Sequence, residues 1–72
     1  MAQVEDAHTG EMVTVREGDW VSFKCDIEQA GMIVRIEGNK LTLTTDRDNG
    51  FIGEYIGGCH FTTELASDCW VE

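Results

Sequence analysis

The sequence predicts an all-β domain: a small five-stranded barrel with one short helical turn near its C-terminus. Residues 13–25 alternate apolar and polar side chains around a Glu17-Gly18-Asp19 turn, the period-two pattern of half-buried strands. Two more β-rich runs, 32–37 and 40–45, are separated by Gly38-Asn39, a strong hairpin signal. The 72 residues include no proline and eight glycines spread along the chain, which suits short strands joined by tight turns.

Taken in order, residues 1–11 are polar, and Val4 is their one large apolar side chain apart from Met1. They read as an extension, mobile or loosely docked, ahead of a barrel domain at 12–72. The first strand is expected at 13–17, with Val13 and Val15 inward. Gly18 tolerates a positive φ and Asp19 bonds its own backbone, so the chain turns there. The second strand, 20–25, places Val21, Phe23 and Cys25 on one face and Trp20, Ser22 and Lys24 on the other. Residues 26–31 are too short for a stable helix and end in Gly, so they read as a loop holding one helical turn. The third strand, 31–37, is expected to turn Met32, Val34 and Ile36 inward, leaving Ile33, Arg35 and Glu37 on the other face. The fourth, 40–45, turns Leu41 and Leu43 inward.

The second half is less regular. Residues 46–50 form a polar turn cluster. Residues 51–58 are broken by Gly53, Gly57 and Gly58 and read as a short bent strand or an irregular loop. Residues 59–63 are extended. Two readings stay open beyond them. One is a helical turn at 64–68 capped by Thr63, with a closing strand at 69–71; the other is a single helix over 63–71. Closing five short strands into a barrel removes their exposed edges and makes one core.

The run Val15-x-x-Gly18-Asp19-x-Val21, then Gly31-x-Ile33-x-x-Ile36 and the Gly38-Asn39 hairpin, resembles the opening of an SH3-like small barrel of the KOW or Tudor type. The likeness covers about residues 13–45 and implies a binding module. With Gly50-Phe51, Gly53-Glu54-Tyr55 and the ending Cys69-Trp70 included, the chain is also similar to short uncharacterised proteins of tailed bacteriophages. That likeness implies no activity; it places the chain in a host cytoplasm. Unlike nucleic-acid-binding KOW modules, the chain lacks basic loops.

The net charge is −9, from 14 acidic and 5 basic residues, the wrong sign for direct phosphate binding. A partner with a basic surface suits it better. Three cysteines without Cys-x-x-Cys spacing point to free thiols in a reducing cytoplasm. No apolar run approaches the ~20 residues of a membrane span. Cys25, Cys59, Cys69, His8 and His60 lack the paired spacing of a zinc site, so no metal, cofactor or catalytic constellation is expected.

The sites expected to bind a partner are Trp20 and Tyr55. Trp20 alternates with Val21 and Phe23 and so faces outward, unless a chain terminus covers it. Tyr55 sits among glycines with a polar tip. Phe51, Phe61 and Leu65 read as plugs for the barrel ends. The leading expectation is a non-enzymatic protein-interaction module, of a phage type acting on a host factor. The alternatives are an acidic mimic of nucleic acid that inhibits a host enzyme, and a KOW-like nucleic-acid binder.

Overall fold

The computed structural model describes residues 1–53 and 58–72. They form one curled sheet, a half-barrel, with seven strands rather than the five expected. The strands are β1 (Ala2–Asp6), β2 (Met12–Val15), β3 (Trp20–Cys25), β4 (Ile27–Glu37), β5 (Lys40–Thr44), β6 (Phe61–Leu65) and β7 (Trp70–Val71). A 3-10 turn at Ala66–Asp68 joins β6 to β7. The strand order across the sheet is β2-β1-β7-β3-β4-β5-β6. All pairings are antiparallel except β1 with β7.

The N-terminal residues are part of the sheet rather than a loosely docked extension. Ala2 and Val4 are buried between β2 and β7, opposite Val15 and Val13. Asp6 makes the turn that follows: its carboxylate accepts from the backbone N–H groups of His8 and Thr9, and its carbonyl from Gly10. The turn after β2 is the expected one. Arg16 N–H donates to the Asp19 carboxylate at 3.0 Å, and Gly18 has φ +97°.

No loop occupies residues 26–31. Asp26 reverses the chain alone with φ +63°, a left-handed conformation that Asp tolerates better than most residues, and β4 starts at Ile27. The resulting eleven-residue strand pairs with β3 through Met32 and with β5 from Met32 onward. A β-bulge lies between Ile33 and Arg35, where the register against β5 slips by one residue. The bulge corrects the expected face of β4. Ile33 is fully buried, Val34 is only half-buried, and Ile36 returns to the core side three residues after Ile33.

The core lies on the concave side. Phe23, Ile33, Leu41, Leu43, Val4, Val21 and Phe51 are its largest fully buried side chains. Phe51 enters from the loop after β5 and meets Phe23 edge-on, ring centroids 5.3 Å apart at 74°. Gly31 makes room for it: a Cβ there would sit 3.0 Å from both the Phe51 ring and Leu43. Gln29 is the one buried polar side chain among the described residues. Its amide oxygen accepts from Ile52 N–H at 2.7 Å and its amide nitrogen donates to the Ile52 carbonyl. A side chain thus pairs with a backbone as a strand would, and holds the loop that carries Phe51. No helix spans 63–71; β6, a 3-10 turn and β7 occupy it, and Thr63 lies within β6 rather than at a helix cap.

Candidate functional site

The sheet's convex side carries the candidate site. Register alone places it. Trp20 on β3 lies opposite Met32 on β4, Met32 opposite Thr44 on β5, and Thr44 opposite Phe61 on β6. Their chain neighbours Val21, Ile33 and Leu43 are buried, so these four face the other way. They form one row across four strands, roughly 14 Å long at the usual strand spacing. Trp20 is 50% exposed and Phe61 62% exposed, so no terminus covers Trp20. Trp70 lies opposite Ser22, diagonal to Trp20 on the same face, half-buried, with its indole N–H donating to Glu72 at 3.3 Å.

Beside this row is a shallow depression of about 230 Å³, lined by Ser22, Glu28, Gln29, Ala30, Arg47 and Glu72. Both polar atoms of the Gln29 amide are engaged with Ile52, which leaves Glu28, Glu72 and Arg47 to define its charge. Farther along the convex face Arg35 is paired with Glu37, both well exposed. Such a pair contributes little to stability, but it neutralises one of the five cations. The row therefore has an exposed aromatic at each end, with Glu17 and Asp19 in the turn before Trp20 and two carboxylates and Arg47 in the adjoining depression.

Among the described residues, those of reactive type do not assemble. Among the described residues no group of three or more His, Cys, Asp or Glu side chains converges as a metal site would require. The thiols of Cys25, Cys59 and Cys69 are free. Cys69 is buried; burial first, then Glu64 and Asp68, pushes its thiol up to about 12, which leaves it protonated and a poor nucleophile at neutral pH. Cys59 and His60 are exposed and adjacent on the chain. No helix among the described residues is long and apolar enough to cross a membrane.

Of the two residues expected to bind a partner, Trp20 is on the exposed row, and Tyr55 lies outside the described residues. Phe61 and Leu65 do not plug the barrel ends; they stand on the convex face of β6, while Phe51 does fill the core. The row was not evident in the sequence because Met32 and Phe61 looked like core residues. Comparison with known proteins finds no matching family model, no matching curated protein and no matching solved structure.

Proposed function

We propose that this chain is a non-enzymatic protein-interaction module, an SH3-like barrel that binds a basic protein surface through its convex face. The observation that carries the reading is the row Trp20, Met32, Thr44 and Phe61, which keeps two large aromatics in solvent on an otherwise folded sheet. Exposed aromatics of this kind are the residue types that anchor interfaces. The half-barrel is compatible with the SH3-like opening motif. The −9 charge would steer a basic partner, and the depression beside the row, with Glu28 and Glu72 against the single cation Arg47, would receive a Lys or Arg side chain. Tyr55 is a second contact in this proposal. A phage-type role on a host factor rests on the sequence likeness alone.

The test compares wild type and Trp20→Ala as baits in the same cell extract. A protein retained by wild type should be lost or weakened by about 1–3 kcal/mol with Trp20→Ala, and its association should slow as salt rises. Capture of nucleic acid would favour the KOW-like alternative. If Trp20→Ala melts the domain, Trp20 belongs to the fold and the reading fails.

A further inference from the structure

The strand β6 ends the sheet, and its apolar side chains are on the wrong side for a half-buried strand. Phe61, Thr63 and Leu65 alternate with Thr62 and Glu64, so period-two reasoning would bury the first set. The register against β5 does the reverse. Thr62 and Glu64 lie opposite the buried Leu43 and Leu41, while Phe61 and Leu65 lie opposite Thr44 and Lys40 and are 62% and 40% exposed. Of the usual guards the edge has one, the inward-facing charge of Glu64; β6 contains no Lys, no Pro and no bulge.

The backbone of this edge has a definite pattern. Thr45 N–H donates to the His60 carbonyl, and Ala66 N–H to the Asn39 carbonyl, flanking the β5–β6 ladder at both ends. In an antiparallel ladder the bonded residues alternate, so His60, Thr62, Glu64 and Ala66 turn their N–H and C=O groups toward β5. Phe61, Thr63 and Leu65 therefore turn theirs to the open edge.

We infer that β6 is a dimerisation strand and that its occupant is β6 of a second copy of this chain, paired antiparallel about a two-fold axis at Thr63. Only a register that opposes edge-directed residues makes the hydrogen bonds, and centring on Thr63 does so. Thr63 meets Thr63 of the other copy, and Phe61 meets Leu65 in both directions, giving six N–H to C=O bonds over three facing pairs. On the convex side each Phe61 covers the other copy's Leu65, so the exposed apolar pair is self-complementary. On the concave side Glu64 meets Thr62 and never Glu64, and these two already bond within one chain at 2.6 Å. The one charge on the strand is thus kept from its own copy. The other end strand fits less well. β2 has four residues, and only Met12 and Thr14 direct their backbone groups outward, because Asp6 N–H donates to the Glu11 carbonyl. A single strand edge is a small interface, so association belongs in the micromolar range.

The test is the mass in solution, by sedimentation equilibrium over roughly 10 µM to 1 mM chain, at salt from about 0.05 to 0.5 M. Wild type should reach twice the 8.0 kDa of one chain, and the dimer should tighten with salt because two chains of −9 repel. Thr63→Pro removes an edge-directed N–H without touching the β5 ladder, and Thr63→Lys sets like charges across the axis. Either change should weaken the dimer about tenfold or more while the circular dichroism spectrum stays that of wild type. Wild type that stays monomeric at 1 mM chain and high salt would overturn the inference. So would folded Thr63→Lys that dimerises as wild type does.

Discussion

Truncating Ile33 and Val34 one at a time tests the bulge that organises β4. These neighbours look interchangeable in the sequence, and the alternation favours Val34 as the core residue. The structure buries Ile33 completely and leaves Val34 half-buried. Ile33→Ala removes a fully enclosed branched side chain between β3 and β5, a change that costs about 2–5 kcal/mol. Val34→Ala removes about two methyl equivalents that are half in water already, for roughly 0.8 kcal/mol. A domain of this size has roughly 4–11 kcal/mol of stability in total, so the first change takes a large share and the second little. In melting temperature, at about 4–8 °C per kcal/mol, Ile33→Ala should lower the midpoint by tens of degrees and Val34→Ala by a few. Thermal melts followed by circular dichroism separate the two. A Val34→Ala loss equal to or larger than that of Ile33→Ala would mean there is no bulge and that the simple alternation of residues 31–37 is correct.

Two further outcomes follow from buried groups. Gln29→Ala should release Ile52 and speed amide hydrogen exchange in the segment around Phe51, while the β3–β4 ladder stays protected; unchanged exchange there would mean the clamp is not what holds the loop. Cys69 is held protonated by burial and by Glu64 and Asp68. Its folded pKa of about 12 lies above the unfolded value, so between about pH 9 and 12 the unfolded chain loses this proton and the folded one keeps it. Stability should therefore fall in that window, by at most about 1.4 kcal/mol per pH unit from this group. Cys69→Ala should flatten the slope, and denaturant titrations with parallel slopes in both proteins would refute the assignment.

The fold class was legible because two hairpin turns and the alternation around them are local signals. Glu17-Gly18-Asp19 and Gly38-Asn39 each specify a turn through backbone conformation, and Val21, Phe23, Leu41 and Leu43 face inward as their phase requires. What escaped reading depends on partners distant in the chain. β1 offers only Ala2 and Val4 to the core, too little to signal a strand, and it is held by β2 and β7 on either side. β6 was obscured for a different reason. Its apolar phase points away from the core, so no single-chain argument from burial could orient it. The candidate site was half-legible for the same reason: Trp20 has clear buried neighbours that fix its face, whereas Phe61 has only Thr62 and His60 beside it.

The inverted phase of β6 and the net charge constrain each other. A curled sheet with two open ends invites indefinite edge-to-edge growth, and a β-rich strand guarded by the single charge of Glu64 is a weak point. Pairing about a two-fold axis uses the same edge on both copies, so it consumes β6 and closes at two. Growth would then have to proceed through β2. That strand is short, with acidic Glu11 before it and Glu17 after it. Repulsion between chains of −9 works against any contact, but it is screened beyond about 10 Å at 0.1 M salt. It therefore suppresses loose aggregation more than a close, hydrogen-bonded ladder. In the proposed reading the same field would attract a basic partner to the convex face, and salt would weaken that attraction while strengthening pairing of like chains. Opposite salt dependences for the two kinds of binding are thus a consequence of one charge distribution acting on two surfaces that meet at Phe61, which the dimer would cover, leaving Trp20 and Met32 to the partner. If self-association and partner binding respond to salt in the same direction, at least one of the two surfaces has been assigned to the wrong kind of partner.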